Sequence, residues 1–433
     1  MSNWSLLNGA PLMVAIMVAG ALALLVLLLR RRRTWWTRAV PVAVVATGAA
    51  LVLVYGTLVW WWRPFPDALS PMIWFAIAAG VFGIALAVVR SVARPRRWWR
   101  PLLSVVLAAV VVVSSAELIN VQFGQYPTLR DALGLPQPNQ VALRSVVEKR
   151  AVVRPAPGDP LSDVWRAPPG MPAKGVVSPV TIPGTISQFA ARPGWIYLPP
   201  AYLATPRAEL PVLVLVNGQP GNTDNWLGGG DLATRLDAFA AQHDGLAPVV
   251  VIPDDLTRVT LNPMCLDSRL GNAFTYLTED VPNWIANHLQ VDLNPKSWAF
   301  GGFSNGGTCA LQLAVTAPHR YPTFLDLGGD DRPSTGTVTQ TVSAAFGGDA
   351  ARFHRVNPLD ILARQRFPGV AGQFAIGLDD PYRPATERAY QASRAAGMDV
   401  RLHESPGGHS WTVWGPAFTT ALPWLAQRQG MLP

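Results

Sequence analysis

Ser297-Trp-Ala-Phe-Gly-Gly-Phe-Ser-Asn-Gly-Gly-Thr-Cys-Ala310 decides the fold. An apolar run, Trp298 to Phe300, leads into Gly302-Phe303-Ser304-Asn305-Gly306, and a helical pattern from Cys309 to Ala317 leads out. Strand, sharp turn and helix in that order make a nucleophile elbow. The spacing has a steric cause. A serine lifted out of a sheet sits in a strained backbone conformation, and side chains two positions either side of it would collide, so both are glycine. The helix that follows points its N-terminus at the reacting centre, where it favours a developing negative charge. The same letters also fit an ordinary glycine-rich turn, so the partner residues carry the distinction.

A nucleophilic serine needs a base, and the base needs an acid to orient it. After an elbow of this kind the chain order is Ser, Asp or Glu, then His. Of six histidines, His409 follows Gly407-Gly408 just after the last apolar run and opens a Trp-rich segment, His409-Ser410-Trp411-Thr412-Val413-Trp414. A loop after the final strand is where the base must come from. His403 lies inside that strand and reads as structural, while His243, His288, His319 and His354 precede the expected acid. The acid should end the preceding strand, in Gly377-Leu378-Asp379-Asp380-Pro381. Adjacent aspartates point different ways, so one of them meets His409: Asp380 is the first choice and Asp379 the alternative. Asp330 or Asp331, one strand earlier, is a weaker candidate and reads as a solvated turn. The tetrahedral intermediate needs amide donors. One is the N–H of Asn305. The other belongs to Asn217-Gly218-Gln219-Pro220-Gly221, where Gln219 is the best candidate because Pro220 has no N–H and Gly218 serves the turn.

The first hundred residues have a different character. Pro11 to Leu29 contains no charge, and as a helix it spans roughly 28 Å at 1.5 Å per residue. Similar runs follow at Val40–Trp62, Met72–Val89 and Leu102–Phe123, and the arginines come after the first run rather than before it, unlike a cleaved signal peptide. Four transmembrane helices are expected. Ten of the 35 basic side chains sit in the two segments Arg30–Arg38 and Arg90–Arg100. Arg63 cancels Asp67, and the remaining 24 basic residues face 26 acidic ones, so no basic face is left for a nucleic acid. Retention of both arginine segments in the cytoplasm places the N-terminus, the Arg63–Ser70 loop and everything beyond Phe123 outside, with Trp35, Trp36, Trp60 to Trp62, Trp98 and Trp99 at the interfaces. Glu117 is the one charge inside a run and falls near the outer interface, so the helices read as an anchor rather than a transport path.

Residues 126–175, rich in proline, read as a linker, with a short amphipathic piece at Val141–Val147 packed on a surface. From about Val176, strands at Trp195–Leu198, Val212–Val216, Val249–Ile252, Trp298–Phe300, Phe324–Leu327, Gln373–Ile376 and Val400–His403 alternate with helices near Leu232–Gln242, Glu279–Leu289, Asn305–Ala317 and Ala385–Ala396. Continuous apolar strands separated by helices indicate a mostly parallel sheet covered on both faces. The expected architecture is therefore an α/β-hydrolase fold at 176–433, a linker, and a four-helix anchor at 1–125.

Pro211-Val-Leu-Val-Leu-Val-Asn-Gly-Gln219, Asp224-Asn225-Trp226, the Gly302–Gly306 elbow and His409-Ser-Trp-x-x-Trp414 together resemble the esterase family that includes esterase D and the antigen 85 mycolyltransferases. The resemblance covers about residues 176–430. It implies a triad of Ser304, Asp379 or Asp380, and His409, with Gln219 and Asn305 as oxyanion donors. The membrane prefix looks like that of actinobacterial and firmicute membrane esterases, some of which deacylate aminoacyl-phosphatidylglycerol. The expectation is a membrane-anchored serine esterase or acyltransferase that acts on a lipid-linked ester and needs no cofactor or metal. A non-catalytic binding module on the same scaffold is the rival. Trp226, Trp411 and Trp414 are candidate substrate-binding residues; the Trp411 and Trp414 pair beside His409 could hold an acyl chain or sugar ring, with core packing explaining one of them equally well. Gly228-Gly229-Gly230 follows no strand and reads as a flexible loop. Cys265 and Cys309 are either a disulfide, which an extracytoplasmic domain permits, or two buried thiols.

Overall fold

The computed structural model describes residues 4–7, 9–61, 69–92 and 98–433. Trp62 and Arg63, Asp67, and the arginines at 94, 96 and 97 lie outside the described residues. The chain divides into two compact units, Met1–Leu135 and Pro136–Pro433.

The first unit contains α1 (Pro11–Leu28), α2 (Val40–Tyr55, extended by π-helical turns to Trp35 and Trp61), α3 (Pro71–Val92) and α4 (Trp99–Phe123). All four are long and apolar enough to cross a membrane. They approach closely because glycines lie at the contacts. A Cβ on Gly83 would lie 2.7 Å from Val111, and one on Gly80 would lie 3.3 Å from the Ser115 hydroxyl. The last carbonyls of α1 have no partners within their own helix. Arg90 of α3 donates to Val26 O at 2.7 Å and Leu27 O at 3.0 Å, while the Trp35 indole donates to Leu28 O at 2.7 Å. Asn120, in the last turn of α4, donates to Tyr126 O at 3.0 Å and accepts the Tyr126 N–H at 2.7 Å. Glu117 is buried in this unit beside Asn120.

The second unit is built on an eight-stranded sheet of β1 (Val176–Val180), β2 (Gly194–Leu198), β3 (Val212–Val216), β4 (Val249–Ile252), β5 (Trp298–Phe303), β6 (Thr323–Leu327), β7 (Ala371–Gly377) and β8 (Asp399–Ser405). The spatial order is β8-β7-β6-β5-β3-β4-β2-β1. Strands β3 to β8 are mutually parallel, and β2 runs antiparallel to both β1 and β4. Every residue of β3, β4, β5 and β6 is buried, which is why these strands carry unbroken apolar runs instead of alternation. The principal helices are α5 (Leu232–Ala241), α6 (Val281–His288), α7 (Asn305–Thr316), α8 (Arg383–Ala395) and α9 (Trp411–Arg428).

The expected linker at 126–175 is corrected by the structure, because most of it belongs to the second unit. Val141 donates its N–H to Val177 O at 2.9 Å, Val152 pairs with Arg207 in a short parallel ladder, and Leu161 donates to Gly430 O at 3.0 Å. Trp165 is buried, its indole donating to Asp244 O at 2.9 Å. The prolines forbid long helices here but do not prevent an irregular segment from satisfying its amides against a neighbour.

Candidate active site

Parallel strands bring their C-terminal ends to one edge, and the loops leaving β3, β5, β7 and β8 supply the candidate residues. Ser304 stands between β5 and α7 with φ 54° and ψ −121°, a conformation that side chains rarely adopt. The flanking glycines are required by contact. A Cβ on Gly302 would meet the Gly306 backbone at 2.5 Å, and one on Gly306 would meet Val216 O at 2.7 Å. The Ser304 carbonyl accepts the N–H groups of Gly307 and Thr308, which closes the first turn of α7.

His409 joins the serine to an acid. Its Nε2 lies 2.8 Å from Ser304 Oγ, and its Nδ1 lies 2.8 Å from Asp380 Oδ2. With the proton on Nδ1, the ring donates to Asp380 and Nε2 accepts from the serine hydroxyl. Asp380 is buried, and its Oδ1 accepts the Tyr382 N–H at 2.9 Å. Asp379 is exposed; its N–H donates to Gly407 O. The structure thus brings together Ser304, His409 and Asp380 and leaves Asp379 out. His403 is exposed on β8.

Asp330 and Asp331 do not form the solvated turn expected of them. Asp331 is 1% exposed and pairs with Arg388 at 2.7 Å and Arg332 at 3.3 Å, and the Asp330 N–H donates to Thr308 Oγ1. Burial beside Asp331 pushes the Asp330 carboxyl up to about 6. Asp326, the neighbour beneath, accepts the Gly329 N–H at 2.7 Å, and desolvation raises its carboxyl to about 7.

Gly218 lies against the elbow: a Cβ there would stand 3.0 Å from Ser304 Cβ. Gln219 is next in the chain, and its side chain donates to Thr260 O at 3.2 Å. Asn305 begins α7, with its side-chain oxygen accepting from Asn262 Nδ2 at 2.9 Å. Both backbone amides sought at the sequence level therefore belong to segments touching Ser304.

The tryptophans need correction. Trp226 is fully buried, donating its indole N–H to Val216 O at 2.9 Å, and it packs edge-on against Phe303, Trp411 and Phe418. Trp411 is 4% exposed in the same cluster. Both are buried core residues rather than exposed at the site. Trp414 is also 4% exposed, but its ring stands at 90° to the His409 ring with centroids 4.7 Å apart, so it fixes the imidazole plane. Gly228-Gly229-Gly230 is a packed turn under this cluster, not a flexible loop, because a Cβ on Gly229 would reach Trp411 at 2.3 Å.

Two features escaped sequence reading. Tyr382 also packs against His409, its ring tilted by 42° with centroids 5.0 Å apart. Asp254 and Asp255, just beyond β4, are fully buried near the elbow. Only their position at a strand end could have drawn attention to them. Cys265 and Cys309 form a disulfide with Cα atoms 5.7 Å apart, tying the segment beyond β4 to α7.

A family model described as "Putative esterase" matches residues 191–425. This chain belongs to that esterase family. It is also 33% identical, over the whole of both chains, to an uncharacterised protein of Corynebacterium glutamicum. Among solved structures, a ferulic acid esterase superposes with a TM-score of 0.52 at 18% identity, covering 60% of this chain and 100% of its own. An S-formylglutathione hydrolase from Agrobacterium tumefaciens gives 0.50 at 20% identity, covering 60% and 97%. At these identities the structural likeness establishes the α/β-hydrolase fold. Membership of the esterase family makes the protein a hydrolase, carried on that fold.

Proposed function

We propose that this esterase-family protein is a membrane-anchored serine esterase that cleaves lipid-linked esters through an acyl-enzyme on Ser304. The carrying observation is the unbroken chain Ser304 Oγ, His409, Asp380, each link 2.8 Å. His409 Nε2 removes the hydroxyl proton as Oγ attacks the ester carbonyl. Asp380 holds the imidazole in the required tautomer and balances the imidazolium. The tetrahedral oxyanion is received by the N–H groups of Asn305 and Gln219. The alcohol leaves with the proton from His409, and water, activated by the same ring, releases the acid and restores Ser304.

Four apolar helices support the lipid assignment. One helix is enough to tether a domain, and a soluble ester gains nothing from enzyme confinement. An ester on a lipid headgroup shares a two-dimensional phase with the enzyme at high effective concentration. The candidate class is an aminoacylated or acylated envelope lipid. The arginines of the Arg30–Arg38 and Arg90–Arg100 segments favour a hydrolase unit outside the cytoplasm.

The test compares kcat/KM for a lipid ester in vesicles with that for a water-soluble ester bearing the same scissile group. The full-length protein should prefer the vesicle substrate by at least tenfold, and a short p-nitrophenyl ester should be cleaved poorly. Equal values would end the lipid assignment while leaving the esterase. Transfer to an added alcohol in preference to water would identify an acyltransferase instead.

A further inference from the structure

Asp255 is wholly buried, and its two oxygens reach different segments. Oδ1 accepts the backbone N–H of Asn217 at 3.3 Å, and Oδ2 accepts from the side-chain amide of Asn305 at 3.4 Å. Asn217 opens the segment that contains Gln219, and Asn305 follows Ser304 directly. These are the two segments from which the oxyanion donors are drawn. The other end of the Asn305 side chain is fixed as well, by Asn262 Nδ2, whose second contact is Ser334 O at 3.2 Å. One carboxyl therefore bridges both halves of the oxyanion site from beneath.

We infer that Asp255 is a positioning residue of the esterase, holding the Asn217–Gly221 loop and the head of α7 at the separation that the tetrahedral intermediate requires. The inference rests on Ser304 acting as the nucleophile. Asp255 touches no reacting atom and works through Asn217 and Asn305. Its surroundings suit a neutral carboxyl. The adjoining Asp254 carboxylate faces Arg192, whose Nη2 donates to it at 2.7 Å. Tyr276 and the Cys265–Cys309 disulfide complete the neighbourhood, and the phenol of Tyr276 is itself held well above its ordinary range by burial. Burial, reinforced by Asp254 and opposed by Arg192 and the Asn217 N–H, pushes the Asp255 carboxyl up to about 8. The raised value favours the neutral form of the bridge at neutral pH. Above that value a buried negative charge would lie behind the point where the oxyanion develops, and turnover should fall.

The experiment measures kcat and KM for a short p-nitrophenyl ester between pH 6 and 9.5, with wild type, Asp255→Asn and Asp255→Ala. Thermal melting at pH 6.5 checks that each variant is folded. Asp255→Ala should lose about 10²-fold in kcat with KM within about twofold, the scale of a misplaced oxyanion donor. Asparagine keeps an acceptor for Asn217 and cannot ionise. Asp255→Asn should therefore recover at least about tenfold of that loss at pH 6.5 and lack the decline above about pH 8 that wild type shows. An alkaline limb identical in wild type and Asp255→Asn, or wild-type kcat in Asp255→Ala, would overturn the positioning role. No turnover by wild type would instead remove the esterase reading, and the inference would fall with it.

Discussion

Among single residues, Ser304, His409 and Asp380 form one hydrogen-bonded chain. Ser304→Ala and His409→Ala should each lower turnover by a factor on the order of 10⁴ or more, with melting temperature little changed. Asp380→Asn should cost far more than Asp379→Asn, because only Asp380 meets His409 Nδ1 while Asp379 is exposed. Steady-state kinetics on the four variants checks the set. These residues were legible because chemistry restricts them to strand ends in a fixed chain order. Adjacent aspartates point different ways, so only one could meet His409, and the structure gives that place to Asp380. Trp226 was misread for a physical reason. The Asp-Asn-Trp loop folds inward, so that the Trp226 indole N–H meets the end of β3. Asp255 gave no sequence signal because its partners lie 38 and 50 residues away along the chain.

Elements were easier to read than their surroundings. Each strand expected from Trp195 to His403 exists, most with one to three extra residues, because parallel buried strands write long apolar runs. The 136–175 segment was lost because it is irregular and its partners, such as Arg207 and Gly430, are far along the chain. The disulfide could not be decided either, since sequence carries no Cα separation. It closes a 44-residue separation, for which the chain-entropy account gives roughly 4 kcal/mol. A Cys265→Ala, Cys309→Ala double variant should therefore unfold at clearly lower denaturant concentration. An unchanged midpoint would show that the packing of α7 against β5 and β6 suffices without it.

For the whole molecule, two further predictions follow from charge. Asp255 and Asp326 are raised to about 8 and about 7 in the folded chain, whereas an unfolded carboxyl ionises near pH 4. Between these limits the unfolded chain binds fewer protons, so stability from these two groups falls as pH rises from about 4 to about 8. Asp255→Asn should flatten the decline in melting temperature over that window; an unaltered slope would show that Asp255 does not take up the proton. The second prediction concerns sidedness. A cysteine replacing Ser2, in an otherwise cysteine-free background, should react with an impermeant thiol reagent in intact cells, and one replacing Arg94 should not. Reversed labelling would place the hydrolase unit inside and exclude an outer-leaflet substrate.

The most direct measurement of the central claim is covalent. The full-length protein is treated with a fluorophosphonate and digested, and the peptide spanning Gly302–Gly306 is weighed. The account predicts a single phosphonyl adduct on Ser304, lost in Ser304→Ala and much slowed in His409→Ala. No adduct in the folded wild type, or labelling that survives Ser304→Ala, would contradict it.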